Sequence, residues 1–341
     1  ELRNVFRWNY TGLTRANYIL ENKDNIDFPG KAHIIAEAKF LRAYYYFELV
    51  KYFGDVPLII DRRIGIEEAL QIARSPKAEV YAQIEKDLKD ASEVLNPVAS
   101  QKGRATKGAA MSFLGKVYLY QNKFTEAAAT FDEVIASGSY SLTPSYVDLF
   151  SVANENNSET VFDVEYTGLE GGSYGCLICL EGNAAVGFQG IRQYNGPVYG
   201  DGNSYNLPTQ ALYDAFSSID GRRAATVLDI DAFIATQPNA ASITYAIGAG
   251  GHTGYYNNKY IKRQGEIGLP DNDLTSPVNY KLIRYADVLL MAAEAYARAG
   301  AANEAKALQY LNMVRTRAKL APVTASGTAL IEAIWNERRL E

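Results

Sequence analysis

Residues 36–58 read AEAKFLRAYYYFELVKYFGDVPL, and they decide the fold. Apolar side chains recur at Ala36, Phe40, Ala43, Phe47 and Val50, at spacings of three and four. That is one stripe of a helix. Tyr44 and Tyr46 widen it. At about 100° per residue, the adjacent Tyr44, Tyr45 and Tyr46 sweep a wide arc, so this helix is expected to be surrounded on most sides. Such rings serve packing rather than a ligand. Gly54 supplies a left-handed stop, Pro57 forbids resumption, and residues 56–60 are expected to run extended.

The neighbouring stretches are also helical. Residues 5–21 place Val5, Trp8, Leu13, Ala16, Ile19 and Leu20 in a loose helical period, with Thr11 as a cap before Gly12 and Trp8 expected in the core. Ser75 and Pro76 open a helix that carries Val80, Ile84, Leu88, Ala91 and Leu95 on one face. Residues 106–138 contain Leu114-Gly115-x2-Tyr118 followed by Ala127-x3-Phe131, the tetratricopeptide spacing. In that motif small residues let two helices touch and aromatics fill the gap. Met111 stands where the motif prefers tryptophan. A weaker copy, Ala292-Ala293-x2-Tyr296 with Ala305, has Gln309 in place of the second aromatic, and Ala43-x2-Tyr46 is a half copy. The expected fold is therefore mainly α: two to four tetratricopeptide-like helical hairpins, an α-α superhelix, with a long loop-rich insertion containing a few short strands. Generic helical hairpins are the plainer alternative. Residues 1–138 and 281–341 form the scaffold and 139–280 the insertion of a single domain, 1–341. Residue 341 sits inside a helical pattern and residue 1 just before one, so both termini read as truncated.

The insertion is rich in Gly, Asn, Ser and Tyr. Residues 160–166, TVFDVEY, alternate like a strand, residues 205–220 read as a short helix, and residues 243–247 as a further strand. Loops this long inside a compact protein are usually functional.

Composition narrows the chemistry. The 341 residues are 48% apolar and 21% charged, with a net charge of −5, so a sizeable core is available. No Lys/Arg stripe suits a phosphate backbone, which argues against nucleic acid. Two histidines and two cysteines argue against a His-rich metal site or a disulfide framework. No apolar run reaches the roughly 20 residues needed to span a bilayer. Neither a metal nor a cofactor is expected. Cys176-Leu-Ile-Cys179 lacks the βαβ frame of a redox motif and the second pair of a zinc site. The acid pairs Asp163/Glu165, Asp229/Asp231 and Asp271/Asp273 raise a glycosidase, because residues i and i+2 of a strand share a face. Sequence-adjacent acids are more often solvated charge. Asp271-Asn-Asp273 lacks the glycine and closing glutamate of a calcium loop. Arg42, Arg284, Asp287 and Glu294 lie in apolar helices. The expectation is that Arg42 or Arg284 pairs with Asp287 or Glu294, or binds backbone carbonyls.

Aromatic residues on loops remain. Ten of the 25 tyrosines fall between Tyr166 and Tyr260. Sugars stack their C–H faces on such rings while amides and carboxylates bond the hydroxyls. Tyr174, Tyr194, Asn195, Tyr199 and Tyr205, with Tyr245 as an outlier, are the candidate ligand residues; the competing role is packing of the insertion onto the helices.

Seven stretches occur in order along nearly the whole chain: AEAKFLRAYYYFELVKYFGDVPLI (36–59), residues 106–138, NLPTQALYDAFSSIDGRR (206–223), YYNNKYI (255–261), KLIRYADVLLMAAEAYARAG (281–300), LNMVRTRA (311–318) and IWNERRLE (334–341). Together they resemble the SusD/RagB family, the nutrient-binding lipoproteins of Bacteroidetes outer membranes. The resemblance implies a non-catalytic, cell-surface subunit that captures oligo- or polysaccharide, or sometimes peptide. It also implies delivery to a SusC-like, TonB-dependent transporter and attachment to the outer membrane through an N-terminal lipid outside this chain. An intracellular tetratricopeptide adaptor for protein partners would explain the repeats but not the Tyr/Gly/Asn insertion.

Overall fold

The computed structural model describes residues 2–60, 62–169, 173–175, 181–247, 252–266 and 273–341. Two compact units emerge, Glu1–Ser139 with Met291–Ala307, and Tyr140–Leu290 with Leu308–Glu341. The mainly α, helical-hairpin architecture with a strand-poor insertion is observed.

In the first unit the helices are α1 (Leu2–Glu21), α2 (Lys31–Phe53), the short α3 (Ile66–Ala69), α4 (Lys77–Val94), α5 (Lys107–Tyr120) and α6 (Phe124–Ala136). Helix α2 packs on both α1 and α4, α4 on α5, and α5 on α6. It buries Ala36, Phe40, Ala43, Tyr46, Phe47 and Val50, and also Ala38 and Leu49. Gly54 ends it at φ 68°, and its N–H reaches the Val50 carbonyl at 3.1 Å. Helix α1 runs straight through Thr11 and Gly12. The Thr11 hydroxyl donates to the Arg7 carbonyl at 2.9 Å instead of capping, and a Cβ on Gly12 would fall inside the Tyr45 ring. Trp8 is 59% exposed, against expectation. The buried face of α1 is Leu13, Ala16, Asn17 and Leu20, and Trp8 lies roughly 130° around the helix from it.

The extended exit from α2 has few backbone partners, so side chains satisfy it. Tyr10 donates its hydroxyl to the Pro57 carbonyl at 2.7 Å, and Asn17 donates its amide to the Ile59 carbonyl at 2.8 Å. The Tyr46 hydroxyl donates to the same Ile59 carbonyl at 2.8 Å and accepts the Ile59 N–H at 2.6 Å. Arg42 donates to the Ile60 carbonyl. Its carboxylate partner is Asp87 of α4, in a bidentate pair at 2.7 and 2.8 Å. The expected acids lie elsewhere: Asp287 accepts the Arg284 backbone N–H and Glu294 pairs with Arg298. A helix period shows that Arg42 is buried, but not which helix supplies the acid. At the start of α4 the Asp55 carboxylate accepts the Lys77 N–H at 2.8 Å, the capping role expected of Ser75.

The tetratricopeptide spacing has its expected physical meaning. A Cβ on Gly115 of α5 would stand 2.6 Å from the Phe131 ring of α6, so only glycine allows that contact. Asp132 of α6 accepts from the Tyr296 hydroxyl and the Lys306 ammonium. The Arg298 guanidinium sits 4.2 Å above the Phe124 ring.

The second unit begins with β1 (Thr160–Val164), α7 (Ala184–Gln189), β2 (Ile191–Arg192) and β3 (Asp201–Gly202). There follow α8 (Gln210–Ala215), α9 (Arg222–Thr226), β4 (Val227–Asp229), α10 (Ile230–Ala235) and β5 (Tyr255–Asn257). It closes with β6 (Tyr280–Arg284), α11 (Tyr285–Arg298), α12 (Glu304–Arg317) and α13 (Gly327–Leu340), parts of α11 and α12 belonging to the first unit. The strands form two-stranded ribbons: β1 with β6 and β4 with β5 antiparallel, β2 with β3 parallel.

A buried set of charges lies in this unit. The Arg222 side chain is fully buried and meets Asp220 at 2.8 Å, Glu337 at 2.7 Å and Glu341 at 3.0 Å. Arg284 meets Glu159 at 2.9 Å and Glu341 at 2.8 Å. Arg317 pairs with Glu159 at 3.1 Å and also with Glu341. Arg315 pairs with Glu337 at 2.7 Å. Burial opposes ionisation of Glu341, but Arg284 and Arg317 outweigh it and hold the carboxyl down at about 2. Burial, with Arg284 adding repulsion, pushes the Lys259 ammonium down to about 7.

Replacing Arg42 with Ala strands the Asp87 carboxylate; urea denaturation should show a loss of about 3–5 kcal/mol. Glu341 has a folded pKa below its unfolded value, so its stabilisation is full above about 4.5 and is lost as pH falls toward 2. The stability gap between the native chain and Glu341→Gln should be about 3 kcal/mol at neutral pH and should close across that window.

Candidate functional site

The six candidate residues all lie in the second unit, and the structure sorts them by what the insertion needs for its own core. That small core contains Ile191, Leu228, Ile230, Ile243, Tyr256 and Ile261, together with Tyr194 and Tyr199. Tyr194 and Tyr199 are 7% and 6% exposed and meet edge to face at 6.2 Å. The Tyr194 hydroxyl donates to the Pro197 carbonyl at 2.9 Å, and that of Tyr199 to the Asn258 side chain at 3.3 Å. Burial pushes both phenols up. These two rings hold the insertion together.

Asn195 and Tyr245 lie on a short pairing of chain segments. Asn195 and Thr244 exchange backbone hydrogen bonds at 2.8 and 3.1 Å, and the Ala246 N–H reaches the Arg192 carbonyl at 2.8 Å. This pairing occupies the place of the strand expected over residues 243–247. The Asn195 side chain is exposed. Tyr245 is half-buried against the small core and donates its hydroxyl to Asp231 at 3.0 Å, with His252 Nε2 at 3.3 Å. Burial, reinforced by Asp231, pushes this phenol up to about 12. Asp229 accepts the Ala232 N–H at 3.0 Å as the cap of α10, so that acid pair serves structure.

Tyr205 and Tyr174 present rings to solvent, 61% and 54% exposed. Tyr205 stacks on Phe188 of α7, with centroids 5.9 Å apart and planes 21° from parallel. Its N–H reaches the Phe188 carbonyl at 2.9 Å, which fixes the pair. Tyr174 places its hydroxyl 3.4 Å from Asp273. Phe188 was not legible as a site residue, since AAVGFQG carries no motif. The backbone adds a signal invisible in the sequence. Gln193, Val198, Ser204 and Asn206 all have positive φ, at 49°, 73°, 56° and 54°. A β-branched residue such as Val198 is strained there, and strain of this kind clusters at ligand sites. The Gln264 N–H bonds the Val198 carbonyl at 2.9 Å and helps hold that conformation.

The other motifs resolve as structure. Asp163 is buried against Lys281 at 2.9 Å, whereas Glu165 lies outside β1 and is exposed. The strand alternates as far as Val164 and ends there, one residue before Glu165, so the alternation does not carry both acids on one face. Cys176, Cys179, Asp271 and Gly248–Gly251 lie outside the described residues.

Comparison with known proteins bears on the whole chain. A family model described as "Starch-binding associating with outer membrane" matches residues 1–119, and one described as "SusD family" matches residues 120–341. The chain belongs to the SusD family. "SusD-like protein P2" of Formosa agariphila is 31% identical over 97% of this chain and 67% of its own length. A "SusD-like protein" of Bacteroides ovatus is 28% identical over 97% of this chain and 61% of its own length. The chain thus spans about two thirds of the length of these curated relatives. Among solved structures, a "Laminarin binding SusD-like protein" is 35% identical, with a TM-score of 0.88 over 99% of this chain and 74% of that one. "Surface glycan-binding protein A from Bacteroides fluxus" is 26% identical, with a TM-score of 0.85 over 100% of this chain and 72% of that one. Membership in the SusD family therefore rests on both halves of the sequence and on the fold.

Tyr199→Ala should lower stability by about 3–5 kcal/mol, because it opens a cavity in the insertion core. Tyr205→Ala should change it by less than about 0.5 kcal/mol. Thermal unfolding of the two variants checks the division between packing and exposed rings.

Proposed function

We propose that this SusD-family chain is a non-catalytic glycan-binding subunit, and that Tyr205 on Phe188 is the platform on which a sugar ring stacks. The observation that carries the reading is the exposed, fixed ring pair within a stretch of strained backbone. A preformed aromatic surface offers a sugar's C–H face a partner without ordering cost. Exposed Asn195, with Tyr245 and Asp231, supplies hydrogen-bonding groups for hydroxyls, and Tyr174 a second exposed ring. Tyr194 and Tyr199 act through the packing that holds this surface. The laminarin-binding relative, 35% identical over 99% of the chain, supports a neutral glucan as the first ligand to test.

The same family membership supports a place at the outer-membrane surface, with lipid anchoring through segments outside this sequence and handover of glycan to a SusC-like, TonB-dependent transporter. Peptide ligands are the competing class.

Titration calorimetry against laminarin-type, other neutral and peptide ligands tests the reading. A neutral glycan should bind, and Tyr205→Ala should weaken it about tenfold, corresponding to about 1.4 kcal/mol. Unchanged affinity in that variant would remove the platform from the site, and binding of peptides alone would replace the ligand class.

A further inference from the structure

Asn195 and Gly196 form the only Asn-Gly pair in the chain. They lie in a loop bounded by two residues of positive φ, Gln193 at 49° and Val198 at 73°. The Tyr194 hydroxyl closes the loop by donating to the Pro197 carbonyl at 2.9 Å. Its middle has to be glycine. A Cβ on Gly196 would stand 2.5 Å from the Tyr194 hydroxyl oxygen and 2.9 Å from Cγ2 of Ile243. Packing of the small core thus demands a glycine beside Asn195, whose side chain is exposed.

The local bonding makes this pair reactive. The Asn195 side chain makes no hydrogen bond among the described residues, so its amide carbon can turn toward the next peptide. The Gly196 N–H donates to no acceptor among the described residues, so that nitrogen has no bond to give up before it attacks. Gly196 puts no side chain in the path. Both reactants belong to adjacent residues, and an intramolecular attack of this kind has a high effective concentration. It needs no partner and no pocket. The main chain is what restrains it. Asn195 and Thr244 exchange hydrogen bonds at 2.8 and 3.1 Å in an isolated bridge, and Gln264 donates its amide to the Gly196 carbonyl at 2.6 Å. A bridge outside any ladder opens locally at a lower cost than the core, and the attack proceeds from that opened form.

We propose that Asn195 is a self-modification site. The Gly196 backbone nitrogen loses its proton to solvent base and bonds to Cγ of Asn195. The Cγ–Nδ2 bond breaks, and Nδ2 takes up a proton and leaves as ammonia. Water then opens the five-membered succinimide at either carbonyl. One opening gives aspartate. The other gives isoaspartate, in which the main chain runs through Cγ and is one atom longer. No oxidant or reductant is involved.

The consequence falls on the proposed glycan surface and rests on that reading. The Asn195 amide both donates to and accepts from sugar hydroxyls, whereas a carboxylate only accepts. The longer main chain of isoaspartate also disrupts the bridge to Thr244, the neighbour of Tyr245. Neutral-glycan affinity therefore falls as the protein ages, and bound glycan slows the change by holding the amide and the loop in place.

The test ages the full chain at mildly alkaline pH, with and without a neutral gluco-oligosaccharide. Peptide mapping by mass spectrometry and calorimetry follow it. Deamidation should appear at Asn195 well before the exposed Asn206 and Asn239, which precede Leu207 and Ala240, with isoaspartate among the products. Affinity should fall about threefold to tenfold as the modification completes. Fresh Asn195→Asp should show a comparable loss, and glycan should retard the modification. Asn195→Gln closes only a slower six-membered ring, so it should keep its own starting affinity through the same incubation. No modification at Asn195, or one no faster than at Asn206 and Asn239, would overturn the proposal. Complete modification with unchanged affinity and no protection by glycan would overturn its consequence and remove Asn195 from the site, while Tyr205→Ala decides the platform separately. If no glycan binds, the functional reading fails, and mass spectrometry still decides the modification.

Discussion

Glu341 gathers three arginines around one buried carboxylate: Arg222 from the start of α9, Arg284 from the end of β6 and Arg317 from the end of α12. Glu159, before β1, closes the set between Arg284 and Arg317. A charge in such a place is costly unless every partner arrives. The set therefore acts as a constraint on geometry: segments far apart in sequence must meet at one point with complementary charge. Glu337 of α13 and Glu341, the residue that caps it, sit four residues apart, and the Glu341 N–H bonds the Glu337 carbonyl at 2.9 Å, so both carboxylates reach Arg222.

This gives a physical meaning to the stretches that mark the family in the second half of the chain. Residues 206–223 supply Asp220 and Arg222, 255–261 supply Lys259, 281–300 supply Arg284, 311–318 supply Arg315 and Arg317, and 334–341 supply Glu337 and Glu341. The arginines and carboxylates form one ionic network, and Lys259 joins it by donating to the Glu341 backbone carbonyl at 2.8 Å. The first unit uses the same device on a smaller scale. Arg42 joins α2 to Asp87 of α4 and to the carbonyl of Ile60, so a single buried cation places a helix and an extended strand-like segment together.

The insertion solves a different problem. It lacks long elements, so it builds a small core from aromatic and β-branched residues, and Tyr194 and Tyr199 are consumed by it. Tyr174 and Tyr205 are left at the surface, and one of them stacks on its neighbour and not on the core. Tyr205 on Phe188 is that ring, and Ser204 and Asn206 on either side of it have positive φ. Packing thus consumes some of a set of tyrosines that look equivalent as letters and leaves others at the surface.

Local patterns are legible in the sequence. The stripe from Ala36 to Val50, the stop at Gly54 and the Gly115–Phe131 contact follow from helix periodicity and from the space a Cβ occupies, and both are properties of short segments. The helical class and the strand-poor insertion follow from them. Partner choice was not legible: the period that buries Arg42 is silent about Asp87, 45 residues away. The exposure of Trp8 depends on which side of α1 meets α2. The candidate site was visible only as a density of tyrosines on loops. Which rings face solvent, and that Phe188 lies beneath Tyr205, was decided by tertiary structure, because burial and stacking depend on segments the chain brings together only when folded.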